Sequence, residues 1–391
     1  MSSFAVYNPS EKIQTAVQNL DVGKKTTYVG DNGFEVQSAM DAGLFSLVIP
    51  SGITVVVGQD LILESGNYLR IEVQRGGTLV FQDAGVLGAG AILDIRGAPG
   101  SGERWQPSEA TEAETSVRII HTGAVATPSE FILEMMMFTD IKVEIDSGPN
   151  ESVVFGQAAK FTRCYMRNTE CIITSVNTIN PAVSFSGLSY IEFCTIDCVG
   201  SSTTKVLELN GVSVRSSQIG YGDTIFRIVG CTFLATDING SNSGDAAVEQ
   251  LGSITYIGGS FRITGAFIDT GAIGNKYDNC LVIFTGTSTA PEIGAHRSTY
   301  TGCNVLCLSA DGLVVSGDYV GFTGCALDVR GTGLRVTGDR CGVSGGYPIG
   351  GISTYQLTVE ASAANTKVIG NAFTGALVDN GTGTQDIGNT L

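Results

Sequence analysis

Charge is what this sequence has least of. Asp, Glu, Lys and Arg together make up 15% of the 391 residues, against about a quarter in an average soluble protein. The basic sign is the scarcer, 22 residues against 38 acidic ones for a formal net charge of −16, and no Lys/Arg cluster interrupts that excess. Nucleic acid is thereby excluded as an expected partner, because phosphate binding begins with a basic surface. Histidine occurs twice, and the cysteines form no C-x2-C pair; Cys194 and Cys198, like Cys303 and Cys307, are separated by three residues. That argues against a Cys/His metal site, and we expect neither metal nor cofactor. No stretch approaches the roughly 20 apolar residues of a membrane span, so no membrane insertion is expected. The opening MSSFAVYNPSEK also lacks the basic and apolar regions of a signal peptide, which reads as a protein made in a cytoplasm.

Other residues are abundant. Glycine accounts for 52 positions, the mark of a chain with many tight turns. The ten cysteines sit singly inside apolar runs such as IEFCTID, IVGCTFL and YTGCNVLCL, where thiols behave as small buried hydrophobes rather than disulfide partners. Most informative is a repeat: GLVVSGDYVGFTG at 312–324 returns 21 positions later as GLRVTGDRCGVSG at 333–345, identical at seven of thirteen places. A period of that length means one short unit stacked on itself, a solenoid in which each unit buries its apolar face against its neighbours. Within the repeat Leu313 and Val315 keep Leu334 and Val336 as counterparts while Val314 becomes Arg335. Alternation therefore places the kept pair inward and the variable position outward.

Strands read from the sequence as LVIP, ITVVV, LILES, YLRIEV, TLVF and AILDI between about 47 and 95, each bounded by turn residues. A polar segment at 97–116, GAPGSGERWQPSEATEAETS, reads as an excursion loop and carries Trp105, the only Trp. Strand phrases resume after 117, and aligning RCYMR, FCTID, GCTFL, GGSFR, NCLVI, GCNVL, GCALD and GNAFT places Cys231, Cys280, Cys303 and Cys325 in one interior ladder. Together these give about 10–13 coils in a single domain over 34–391. Before it, SEKIQTAVQNL at 10–20 has Ser10 as a helix cap and Ile13, Ala16, Val17 and Leu20 on one face. Residues 1–33 read as a separate segment, packing either on the solenoid or on other subunits of an assembly.

The segment 34–57 also carries a likeness. Its pattern F-x-x-Q-x-A-x-x-A-G followed by I-P-x-G, formed by Phe34, Gln37, Ala39, Ala42, Gly43, Ile49, Pro50 and Gly52, resembles the opening of pectate-lyase-like right-handed parallel β-helices, among them many bacteriophage tailspikes. The closing rhythm I-G-N-x-F, D-N-G-T-x-T, I-G-N at 369–389 resembles the last coils of the same type. The resemblance covers about 34–391 and implies an all-β, single right-handed parallel β-helix with a short N-terminal capping helix. It further implies a virion appendage of the tailspike or tail-fibre kind: a homotrimer joined to other virion proteins through residues 1–33 and binding bacterial surface polysaccharide. No separate C-terminal trimerisation or chaperone domain of the kind many tailspikes carry is expected after these coils.

Two other classes stay open, a capsid decoration or structural spike and a polysaccharide lyase or hydrolase. For the latter, Asp318 and Asp339 occupy equivalent places in successive coils, and paired carboxylates are what glycoside hydrolysis needs; each also sits in a Gly-Asp turn, where Asp is common for local hydrogen bonding. Asp237 and Asp245 flank a Gly/Asn/Ser stretch that reads as a plain turn without the spacing of a calcium loop. His121 and His296 are lone imidazoles. For sugar contact, Trp105 is the first aromatic candidate, with Tyr221 beside Asp223 second.

Overall fold

The computed structural model describes residues 36–37, 40–41, 46–98, 117–122, 131–148, 159–176, 181–201, 204–222, 224–251, 253–269, 274–285, 290–345, 347–348, 356–371 and 377–389. The proposed segment 1–33, its helix at 10–20, Trp105 and Asp223 lie outside them. Over the described residues the chain winds as a right-handed parallel β-helix. Each coil contributes one strand to each of three parallel sheets. A representative coil runs Tyr190–Glu192, Thr195–Val199 and Lys205–Asn210 before Ser213–Arg215 takes its place beside Tyr190–Glu192. The first sheet extends from Ser46–Ile49 to Gln385–Ile387, the second from Thr54–Val57 to Tyr347–Pro348, and the third from Leu61–Ile62 to Leu377–Asp379.

Short strands of alternating character produce this shape because alternate side chains point into the coil. The tandem repeat shows it directly: Leu313, Val314 and Val315 pair with Leu334, Arg335 and Val336. The two Leu and two Val are fully buried, whereas Val314 and Arg335 face outward and are partly exposed. Gly312 and Gly333 begin the two units with φ near +74° and +80°, and a Cβ at either would meet a backbone oxygen of the next coil, Gly333 O at 2.1 Å or Gln356 O at 2.4 Å. The repeat thus keeps glycine where coil packing leaves no room for a side chain.

In-register parallel strands place equivalent residues above one another at about 4.8 Å, and planar rings exploit this. Phe233, Tyr256, Tyr277, Tyr300 and Phe322 form a continuous inner column with centroids 4.6, 4.9, 4.4 and 4.7 Å apart and planes within 14° of parallel. Tyr277 brings its hydroxyl inside with it, and that hydroxyl donates to the buried Gln250 Oε1 at 2.9 Å, which avoids the cost of an unpaired buried donor. A second column joins Phe131, Phe161 and Phe185.

All ten cysteines are reduced and buried, but they do not form the single expected ladder. Cys280, Cys303 and Cys325 stack at the corner between the first and second sheets, shown by Asn304 N donating to Cys280 O and Ala326 N to Cys303 O. Cys231 stands at another corner, between the third and first sheets, in a row with Val212 and Ile254. Its Gly-Cys phrase looks the same because both corners use one left-handed residue followed by a small inward one: Gly230 before Cys231, Gly302 before Cys303. Cys164 and Cys341, which follow Arg163 and Arg340 in the same conformation, also belong to the Cys231 corner.

Two further expectations change. Gly97 and Ala98 are not in a loop; they complete the strand Val86–Ala98 and pair with Val73 and Gln74. The remainder of 97–116 lies outside the described residues. The stretch from Asp237 is not a turn either, since Asp237–Leu251 is one strand that rounds a corner, its first part pairing in the second sheet and its last part in the third. Neighbouring strands pair with Asn239, Gly240 and Ser241 on both sides, and the register shifts between Ser241 and Ala246, where the strand rounds the corner.

At the opening end, residues 36–37 and 40–41 are helical, with Val36 and Met40 buried against the first coil. Gln37 does more than cover it. Its side-chain amide accepts from Ile62 N at 2.8 Å and donates to Ile62 O at 3.0 Å. Among the described residues Ile62 lies in the first strand of the third sheet, and there a single glutamine side chain pairs with the edge as a preceding strand would.

Candidate functional site

The outer face of the second sheet carries the polar groove that stands out among the described residues. Four adjacent strands form it, Thr195–Val199, Gln218–Gly222, Asp237–Leu251 and Ser260–Asp269. Alternation turns Ile196, Ile219, Ile238 and Phe261 into the core, and the residues between them face out in two registered rows. One row is Thr195, Gln218, Asp237 and Ser260; the other is Asp197, Gly220, Asn239 and Arg262. They line a cavity of about 330 Å³, at the lower end of the range of small-ligand pockets.

Glycine 220 makes the depression. A Cβ at this position would lie 2.8 Å from Asp197 Oδ1, so the Asp197 carboxylate leans over the space that Gly220 leaves open. Partial burial raises the Asp197 carboxyl above its usual range. Asp237 is anchored across the sheet, accepting from Ser260 N at 2.9 Å and Ser260 Oγ at 2.7 Å. Asn239 and Gln218 supply amide donors and acceptors, and Arg262 closes the end with a guanidinium.

Beyond Thr195 the same row continues into Glu170 and the buried Lys142. Lys142 Nζ lies 3.7 Å from Glu170 Oε1, while Glu170 Oε2 is buried without a hydrogen bond. Desolvation raises the Glu170 carboxyl, with Lys142 opposing the shift and Asp197 adding to it. Two carboxyls raised above their usual range by desolvation thus border the groove. Their strands are adjacent and their positions diagonal, about 7–8 Å apart between backbones. Neither residue stands out in the sequence, where FCTID and TECIIT read as ordinary strands. Asp at an outward position of a run that also holds Gln218, Asp237 and Asn239 outward is the signal that alternation alone offers.

Asp318 and Asp339 lie elsewhere, at the corner between the third and first sheets, and they are joined in a chain of turn bonds. Asp339 N donates to Asp318 Oδ1 at 2.8 Å, Ala364 N to Asp339 Oδ1 at 2.8 Å, and Asp318 N to His296 Nδ1 at 3.0 Å. One oxygen of each carboxylate and one nitrogen of His296 therefore serve the backbone of the next coil. His121 is mostly buried, 3.6 Å from Asp83. Tyr221 lies in the second sheet, paired with Cys198 and Gly240. A separate buried carboxylate, Asp94, is held by the Arg96 guanidinium at 2.7–2.9 Å and by the Tyr68 hydroxyl. Its charge is matched locally, as a structural ion pair requires.

No group of three or more His, Cys, Asp or Glu among the described residues is arranged to hold a metal. No helix among them is long and apolar enough to cross a membrane.

No known family model and no curated protein matches the chain. Solved structures do resemble it. Tailspike protein 3 of bacteriophage CBA120 is 13% identical, covering 96% of this chain and 62% of its own, with a TM-score of 0.39. The chain therefore spans about three fifths of that tailspike's length. PfbA, a surface adhesin of Streptococcus pneumoniae, is 12% identical with 93% and 90% covered and a TM-score of 0.39. A tailspike of E. coli bacteriophage HK620 in complex with a pentasaccharide is 12% identical, with 88% and 67% covered and a TM-score of 0.34.

Proposed function

We propose that this protein binds carbohydrate along the outer face of its β-helix, as a virion appendage of the tailspike or tail-fibre kind directed at bacterial surface polysaccharide. The observation that carries this reading is the groove over Gly220. Its walls present carboxylates, amides, hydroxyls and one guanidinium in two straight rows on a rigid sheet. Planar acceptors and donors fixed at strand spacing suit the vicinal hydroxyls of a sugar chain, and a rigid frame holds them without loss of conformational freedom on binding. The virion assignment rests on the sequence resemblance at 34–57 and 369–389. It brings with it attachment through residues 1–33 and a homotrimer, in which copies share faces that a chain so poor in charge covers sparsely.

Binding is tested by applying the protein to immobilised bacterial lipopolysaccharides and capsular polysaccharides, beside Asp237→Asn and Asn239→Ala. Binding by the parent chain and its loss in the variants is the expected result; no retention on any polysaccharide overturns the reading. Light scattering should give three times the 40.7 kDa chain mass, and a stable monomer refutes the trimer.

Glu170 and Asp197 favour a second reading, hydrolysis of the bound glycan. One protonated carboxyl would donate its proton to the glycosidic oxygen as that oxygen leaves the anomeric carbon, while the other, ionised, takes a proton from a water that attacks the anomeric carbon from the opposite side. Oligosaccharide release by the parent chain, abolished in Glu170→Gln and Asp197→Asn, is the expected outcome; binding without release leaves the protein an adhesin.

A further inference from the structure

The coil that carries Asp197 overtops the coil that follows it at three outward positions. Three registered positions show this. Tyr190 is followed in the next coil by Ser213, and Asp197 by Gly220. At the corner between these strands Phe193 is followed by Ser216, both in the left-handed conformation with φ of 54° and 46°. Large groups on one coil thus overlook small ones on the next at three places, from the first sheet, around the corner, into the groove. The step is one strand spacing high, about 4.8 Å, and it is interrupted where Arg215 faces Glu192 and Gln218 faces Thr195.

Both rings along the step have an open side. Tyr190 stacks on Tyr165 with planes 5° apart and centroids 5.8 Å apart. That arrangement turns its opposite face toward Ser213. Phe193 is 51% exposed, and its backbone conformation is unfavourable for a bulky residue. The other coils supply an internal control: the same corner position is Asp140, Asn168, Ser216, Ala235, Gly258, Asn279, Gly302 and Gly324. Polar or small residues hold it at these positions of the same corner, while bulky, exposed, left-handed residues occur at the other corner as Leu188 and Tyr319. Phe193 is the exception at its own corner, and a strained exposed ring beside the groove is a candidate contact. Between the two rings Glu192 and Arg215, 3.8 Å apart, supply a carboxylate and a guanidinium at the edge of the step.

We propose that this ledge is an aromatic extension of the groove, on which pyranose rings lie flat against Tyr190 and Phe193 and lead the glycan into the site over Gly220. The inference rests on the carbohydrate-binding reading and adds to it the path of the chain and a preference for sugars with an apolar face. A flat sugar ring is about as thick as the step is high, and its C–H face meets an aromatic face as another ring would. The hydroxyls at its rim reach Glu192 and Arg215, and the next residues of the glycan meet Thr195 and Gln218.

The test uses the full chain on the same immobilised polysaccharides, with Tyr190→Ala, Tyr190→Phe, Phe193→Gly and Ser213→Tyr. Ser213→Tyr extends the existing Tyr165–Tyr190 stack and fills the step, so it is expected to fold and to bind poorly. Phe193→Gly relieves the left-handed backbone, so its melting temperature should hold or rise while affinity falls. Tyr190→Ala, Phe193→Gly and Ser213→Tyr should each weaken binding by about three- to tenfold, and Tyr190→Phe should leave it unchanged. If groove variants abolish binding while these three bind like the parent, the ledge is refuted and the groove stands. Should the parent bind no polysaccharide, both fall. A change in light-scattering mass with unaltered glycan affinity would instead make the ledge a contact between copies, and the proposal fails.

Discussion

Replacing Tyr300 by Ala removes the middle of the inner ring column and tests whether the coils cohere as described. Tyr300 is 1% exposed, with Tyr277 4.4 Å away on one side and Phe322 4.7 Å on the other. Truncating a buried aromatic to Ala costs about 3–5 kcal/mol, the spread reflecting how far the cavity collapses. Here collapse is limited, because the cross-coil hydrogen bonds hold the strands of the neighbouring rings at fixed spacing. Two face contacts, each worth about 0.5–1.5 kcal/mol beyond burial, are lost at once. We therefore expect a cost near the upper end of that range. Tyr300→Phe keeps both faces and should cost about 1 kcal/mol or less. Urea unfolding gives the magnitudes, and native-state hydrogen exchange gives the location. In a solenoid each coil touches only its neighbours, so protection should fall first in the strands at 276–329 and least in 46–98. A loss under about 1 kcal/mol for Tyr300→Ala would refute the stacked column as a source of stability.

Three other outcomes follow from particular contacts. Gln37→Leu keeps the bulk of the cap but removes both bonds to Ile62; the edge is exposed, so a cost of about 1–2 kcal/mol is expected in urea unfolding, with faster exchange of the Ile62 amide. Asp339→Ala should cost about 1–2 kcal/mol by freeing the Ala364 amide, whereas Asp339→Asn retains an acceptor and should melt within a few degrees of the parent. For Asp197 the test is pH. Its raised carboxyl means the folded chain holds that proton more tightly than the unfolded one, so the associated stability is present below about pH 4 and is lost as pH rises through the folded value. Asp197→Asn should match the parent in acid and exceed it in melting temperature at neutral pH; an advantage that is constant with pH would contradict the shift.

Much of the architecture is legible in particular residues. Leu313, Val315, Leu334 and Val336 announce both the coil and its inward face, because a period-two pattern repeated after 21 residues has one stacked solution. Gln37, part of the pattern that resembles other β-helices, has a physical role once Ile62 is seen to begin a sheet. Cys231 shows where such reading stops. Its local phrase matches that of Cys303, yet the two serve different corners, since the corner reached depends on the summed lengths of earlier strands and turns. The stretch at 237–251 misleads for a related reason: its Gly, Asn and Ser suggest a turn, but pairing from both sides at 238–241 and 248–250 holds it as a strand that rounds a corner.

The groove lies still further from the one-dimensional pattern. Asp197, Gly220, Asn239 and Arg262 are each unremarkable in their own segments, and their meaning comes from being stacked. By itself, the sequence determined that the chain would coil, which side chains would fill the coil, and that its surface would be acidic and poor in charge. Tertiary structure alone decided which outward residues meet, because register converts separations of about twenty residues into a single strand spacing. It also decided the ledge, where Tyr190, Phe193 and Asp197 overlook Ser213, Ser216 and Gly220. A large residue becomes a wall only when the coil beside it is small.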